Sequence, residues 1–355
     1  MSTPTRTPSR APSPARRWAR PVVGALVAIG FAYLTVRRLD WGAMRGAWRA
    51  ASPGALALAL ALLAVDFTVR AARWWWMLRA LEPDLPFRAC VRPFFVSLAV
   101  NNTVPLRAGD VMRAFGFRDE LRAPPARVLG TLVIERALDA FVLLAVFFAG
   151  LAGVAAGALP AAFVRTGAIL GAAVLGAILA LLVVPRPMRR LAGWVLSRGP
   201  LAEARWARTL DEVTGQLFET LALVQAPARA LQLLALSVLA WACEGGMYAA
   251  VATALHTPVA PAGPWFALAT GTLATLLPSS PGYVGTFDYF AIAGLVAYGA
   301  PRTAAAANAL LVHLLLWLPV TMAGALLAAA TPGARGALRR AVARPVAPAG
   351  AADAG

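Results

Sequence analysis

The sequence predicts an all-α protein, a polytopic bundle of about eight membrane-spanning helices, some of them broken or re-entrant. Three observations carry this. The 355 residues are 60% hydrophobic and only 14% charged, so most of the chain cannot be the surface of a soluble globule. Several nearly uncharged runs approach or exceed the roughly 20 residues that cross a hydrocarbon core of about 30 Å. Those runs lack the alternation of a barrel strand, and in lipid only helices or a closed barrel satisfy every backbone group.

Taken in order, residues 1–20 hold five Arg, four Pro and no acid and read as a disordered basic tail. A signal peptide would show a small-residue cleavage site before Arg37 and Arg38; none is evident, so the run at 21–36 is expected to remain as a first helix. Further spans are expected at 55–78, 129–150, 163–184, 230–255 and 304–330. Two apolar segments, 93–105 and 265–298, are interrupted by Pro and Gly. The first is too short to cross and reads as re-entrant; the second is long enough to cross twice. The membrane domain is thus expected over 21–330, with 331–355 a second disordered basic tail.

Arginine in short loops orients the spans. The N-terminal tail, the stretch 185–229 and the C-terminal tail are Arg-rich, whereas 151–162 and 256–263 carry no formal charge. Both termini and 185–229 are therefore expected on the cytoplasmic side of a bacterial-type inner membrane. The basic loop 37–49 falls outside in this scheme, against the rule. Within 185–229, Leu210, Val213, Leu217, Leu221 and Val224 recur at helical spacing, which predicts an amphipathic helix packed on the ends of the bundle or serving as a partner's dock.

The net charge of +17 does not imply nucleic-acid binding, because no folded polar segment presents a basic groove. Every basic residue is Arg, so the residue type by itself says little about phosphate chemistry. Cys90 and Cys243 form neither a paired framework nor a metal spacing. No nucleophile motif, metal set or phosphate loop is present. No metal or cofactor is expected, and an enzyme is not.

Charge within a span costs about 2.5–3.5 kcal/mol per residue and normally faces the bundle interior or a wet cavity. Asp66, Arg70 and Arg73 share one helix face at i, i+4 and i+7. Glu135, Arg136 and Asp139 crowd the start of another span, and Glu244 and Asp288 complete the set. Such charges either fix helix register or hold a ligand. His313, alone in the last span, reads as a satisfied core histidine. Pro105 to Gly109 and Pro278 to Gly282 share Pro, three residues and Gly, each after an apolar half-helix, which suggests an internal two-fold repeat. A broken helix is either a simple kink or an anion site made of orphan N–H groups and a positive helix end.

Four segments also carry a resemblance: Arg70-Ala-Ala-Arg73-Trp74; Asn101 to Arg113, with Arg107, Gly109 and Asp110; Val133 to Asp139; and Leu277 to Asp288, with Pro278, Ser279, Ser280, Pro281, Gly282 and Gly285. In this order they resemble the lysylphosphatidylglycerol synthase transmembrane region, or flippase-like family, over roughly 21–330. The resemblance implies a lipid-handling bundle. The family's best-known members join a flippase region to a soluble aminoacyltransferase, and others work beside glycosyltransferases on polyprenol-linked sugars. The short tail after 330 leads us to expect no transferase domain here. The family often has Glu where Asp110 and Asp288 stand.

The expected function is therefore translocation of a lipid or lipid-linked sugar. Arg70, Arg73, Arg107, Arg113 and Arg136 would hold an anionic headgroup, with Glu135, Asp139 and Asp288 balancing them. Expected partners are an anionic phospholipid or a polyprenyl-phosphate-linked sugar, together with a glycosyltransferase or aminoacyltransferase. The alternative is a non-transporting scaffold for such an enzyme.

Overall fold

The computed structural model describes residues 29–35, 37, 39–104, 107–154, 205–276 and 280–330, with eight further positions between 165 and 194. The tails, most of the first expected span and most of the expected span at 163–184 lie outside the described residues. Every regular element described is helical.

Helix α1, Trp41–Arg49, begins where the Asp40 carboxylate accepts the N–H groups of Gly42 and Ala43, a side-chain N-cap. This is the basic loop that defied the arginine rule. It is a short amphipathic helix whose Trp48 indole donates to the Ala307 carbonyl at 3.1 Å, with Arg45 and Arg49 exposed. Interfacial Trp and Arg on such a helix suit a membrane surface, so its charge is not a topology signal of the loop kind.

Four helices of 27 or 28 residues follow the expected spans closely: α2, Pro53–Arg79; α6, Pro125–Ala152; α8, Pro227–Ala254; and α11, Arg302–Ala329. At 1.5 Å per residue each is about 40 Å long, ample to cross a bilayer. α2, α8 and α11 are also apolar enough to do so by composition, whereas α6 carries Arg127, Glu135, Arg136 and Asp139.

The broken segments form two helical hairpins. In the first, α3 (Phe87–Thr103) is followed by α4 (Ala108–Phe115), which packs back on it, and by the single turn α5 (Arg118–Leu121), Pro105 and Leu106 lying outside the described residues. Gly109 lies so close to α3 that a Cβ there would overlap the Ser97 carbonyl oxygen. In the second, α9 (Gly263–Ala274) and α10 (Thr286–Ala297) lie antiparallel, with the Thr270 hydroxyl donating to the Phe290 carbonyl at 2.9 Å. Here the structure corrects the expected double crossing. Helices of 12 residues rise only about 18 Å, short of the roughly 30 Å core, so this hairpin is re-entrant like the first. Its two ends meet, the Ala260 N–H donating to the Tyr298 carbonyl at 3.2 Å.

The amphipathic helix α7, Arg205–Leu221, packs against α6 near Gly130 and Thr220 and continues as a 3-10 turn, Ala222–Gln225. Arg127 of α6 joins Glu82 at 2.5 Å and Glu219 of α7 at 3.1 Å. Residues 82, 127 and 219 thus share one end of the bundle. Residues 34, 48, 52, 254 and 302 share the other, tied by Ser52 N–H to Ala254 O at 2.9 Å and Arg302 to Leu34 O at 2.7 Å.

The order long helix, half-helix, break, short helix, long helix occurs twice, as α2–α3–α4–α6 and as α8–α9–α10–α11. α2 and α8 run antiparallel, since Ser52 meets Ala254 while Arg73 meets Ser237 at 2.6 Å. Equivalent helices running in opposite directions make an inverted repeat. Each half-helix also crosses to the other repeat's last helix: α3 packs on α11 at Gly324, and α9 packs on α6 at Gly150. At both seams a glycine admits the neighbouring helix closely, as membrane helix packing favours.

Candidate functional site

The charged face of α2 meets α6 and α8 in the bundle interior. Arg70 donates through Nε to Asp66 and through Nη2 to Glu244, both at 2.7 Å, and its guanidinium stacks 4.2 Å from the Trp241 ring. Arg73, fully buried, grips Asp139 with two bonds of 2.7 and 3.3 Å and also donates to the Ser237 hydroxyl. Asp139 further accepts from the Trp241 indole at 3.2 Å. Desolvated charges of this kind hold together only when paired and hydrogen-bonded, which the bidentate Arg73–Asp139 geometry provides.

A second group surrounds the first break. Arg107, the N-cap of α4, adopts the left-handed conformation (φ 54°), so the backbone reverses at a non-glycine residue. The Asn101 side chain closes the turn: its oxygen accepts the Gly109 N–H at 2.8 Å and its nitrogen donates to Asp110 at 2.9 Å. Arg113 is buried between the Ser97 hydroxyl at 2.8 Å and Glu135 at 3.3 Å, with the Trp74 and Phe94 rings each 4.9 Å away. Arg136 faces outward. It lies 3.6 Å from Asp110 and 3.7 Å from Glu135, and 41% of its side chain is exposed.

The third group lies at the second break. Pro278 and Ser279 fall outside the described residues, as does the side chain of Pro281. Ser280 donates weakly to Val284 O at 3.3 Å, a local turn contact. Gly282 and Gly285 both have positive φ, 70° and 85°, which glycine adopts without strain. The Gly285 N–H donates to Asp288 at 2.8 Å, so Asp288 caps α10. Its other oxygen meets His313 Nδ1 at 2.7 Å, while His313 Nε2 reaches the Gly282 carbonyl at 2.8 Å.

The two breaks come together. The Trp317 indole donates to the Asn102 carbonyl at the end of α3, and a Cβ on Gly282 would lie 3.0 Å from that indole and 3.3 Å from that carbonyl. Residues 22–324 match the family described as Lysylphosphatidylglycerol synthase TM region. The chain belongs to this family. The family establishes a membrane protein related to lipid handling. No curated protein matches the chain.

Against this membership, the expected site residues fall into two sets. Arg70, Arg73 and Arg113 are engaged by the protein's own carboxylates, whereas Arg107 and Arg136 border the first break with less protein around them. The repeat is present, but not in the register of the Pro-x-x-x-Gly match. Gly109 lies within α4 while Gly282 precedes α10 in the turn. The structural equivalents are Asp110 and Asp288, each the third residue of the helix after its break. Arg136 and His313 likewise stand equally far beyond the N-cap prolines Pro124 and Pro301. Each repeat therefore sets an aspartate in the first turn of the helix after its break against a basic group on its last long helix. Sequence reasoning missed His313, Trp241 and Ser237 as partners of the charged residues; the paired N-cap prolines were the signal that would have found His313.

Proposed function

We propose that this protein moves a lipid or lipid-linked sugar with an anionic headgroup between the leaflets of a bacterial inner membrane, making and breaking no covalent bond. One observation carries the reading: two re-entrant hairpins meet at Asn102 and Gly282, and the Arg136 guanidinium stands beside the first of them, 3.6 Å from Asp110 and 41% exposed, while Glu135 next to it is only 7% exposed. Irregular backbone at membrane depth is tolerated where it is buried or lines a wet cavity, and such breaks mark the binding sites of inverted-repeat transporters. Arg136 and Arg107 supply the cations for a phosphate headgroup. Arg70, Arg73 and Arg113 form the frame that holds them, because each guanidinium is already paired with a carboxylate of the protein. Anionic phospholipid and polyprenyl-phosphate-linked sugar share the chemistry this site would recognise, and a glycosyltransferase or aminoacyltransferase would supply the cargo. The end bearing Glu82, Arg127 and Glu219 is the cytoplasmic one in this reading.

The test is leaflet exchange in liposomes, with fluorescent phosphatidylglycerol and a fluorescent polyprenyl phosphate followed by access to a membrane-impermeant quencher. Wild type should expose one of these lipids faster than protein-free vesicles, and Arg136→Gln should not. Equal rates for wild type, variant and empty vesicles would favour a scaffold.

A further inference from the structure

The hydrogen bonds of His313 fix how many protons it and Asp288 share. Nε2 lies 2.8 Å from the Gly282 carbonyl oxygen, which can only accept, so Nε2 carries a hydrogen. Nδ1 lies 2.7 Å from an oxygen of Asp288. If Nδ1 were bare and Asp288 ionised, two lone pairs would face each other at that distance with nothing between them. A proton therefore sits in the contact, one more than a neutral imidazole and a free carboxylate hold together. Imidazole is the stronger base of the two groups, and the other Asp288 oxygen already accepts the Gly285 N–H at the start of α10. The arrangement is imidazolium against carboxylate.

We propose that the Asp288–His313 pair is a proton-binding site whose occupancy holds the second re-entrant hairpin against α11, so that lipid movement is coupled to protons. The coupling rests on the translocator reading above; the proton site does not. Among the described residues no other cation pairs with Asp288, and its side chain is 3% exposed. Loss of the proton would leave a buried carboxylate without a counter-charge, a state that proteins avoid by moving or by solvating the group. The element that moves is the turn through Gly282 and Gly285, since both of its positive-φ glycines bond directly to the pair.

Few charged or titratable groups face the pair. α8 presents Tyr248 and, one turn back, Glu244; α3 presents the uncharged Asn102; α1 carries Arg45 and Arg49, both exposed at the bundle end. The Phe287 ring covers the imidazole at 4.8 Å. The equivalent place in the first repeat is instructive. There Arg136 faces Asp110 at 3.6 Å, and a guanidinium does not release its proton. The inverted repeat thus sets a permanent cation at one break and a titratable one at the other, which is the asymmetry a proton-driven cycle needs.

Two measurements on the full chain test this. The chain has two histidines, and His256 (φ 50°) can be replaced by Asn, a residue that tolerates left-handed backbone. The His256→Asn protein, labelled with ring-15N histidine in nanodiscs, then reports His313 alone by NMR. Both ring nitrogens should carry hydrogens at neutral pH, and Asp288→Asn should convert the ring to the neutral form. In liposomes, an imposed pH gradient should change the rate at which fluorescent phosphatidylglycerol or polyprenyl phosphate reaches the quencher, and His313→Gln should lose that response. A neutral His313 ring at neutral pH overturns the proton site. Lipid movement indifferent to the gradient overturns the coupling and leaves translocation standing. No movement under any gradient overturns translocation and coupling together, and the ring spectrum then decides the proton site by itself.

Discussion

Replacing Asp139 by Asn tests whether the interior charges are a desolvated frame. The substitution keeps the side chain's shape and removes its charge. Arg73, 0% exposed, would then face an amide in place of the carboxylate that now holds it at 2.7 and 3.3 Å, and Arg70 would lose its third acid at 3.8 Å. Breaking a buried pair from one side costs about 3–5 kcal/mol, mostly the penalty of the charge left behind. That amounts to about two to four powers of ten in the folding equilibrium. The double variant Arg73→Gln with Asp139→Asn should recover part of the loss, since no unpaired charge remains. Unfolding of the purified protein by increasing mole fractions of dodecyl sulfate, followed by tryptophan fluorescence, gives the stabilities. An Asp139→Asn protein within about 1 kcal/mol of wild type, the range of an ordinary substitution, refutes the claim that this cluster is dry.

Arg136→Gln should leave that unfolding curve unchanged while abolishing lipid exchange; parallel loss of stability and exchange would place Arg136 in the frame. Gly109→Ala should destabilise the protein by about 1–3 kcal/mol or more, since its Cβ would overlap the Ser97 carbonyl and backbone cannot yield as a side chain can; circular dichroism melts with no change would sink the tight α3–α4 hairpin. Impermeant maleimide added to cells should modify Ala260→Cys and spare Asp84→Cys, with Cys90 and Cys243 silent because both are buried; the opposite pattern would invert the topology.

The long helices were legible because an apolar run of this length has one stable form in lipid, and the observed ends of α2, α6, α8 and α11 fall within a few residues of those expected. The hairpin at α9 and α10 was misread because hydropathy counts apolar residues without registering how far a chain advances. Its residues are apolar enough to cross twice, yet Gly282 and Gly285 spend the stretch on a turn. α1 was misread for a different reason. Asp40 before an apolar-and-basic stretch is a helix start signal, but arginine counting treats every short connection as a loop. For the site, the face shared by Asp66, Arg70 and Arg73 followed from helical spacing, while the choice of acid for each arginine depended on which helices cross. His313 was indeed satisfied, as a core histidine should be; only the fold reveals that its partners belong to the second break.

Arg70 and Glu244 hold the same place in the two halves, each equally far along a helix that opens at Pro53 or Pro227, and they bond to each other near the axis relating those halves. In an assembly of two identical subunits, a residue at that place would meet its own copy, arginine against arginine or glutamate against glutamate, and like charges in a dry interior repel. A complementary pair there requires two sequences free to diverge from one another. The salt bridge therefore ties the two halves of one chain in a way that no symmetric homodimer could copy.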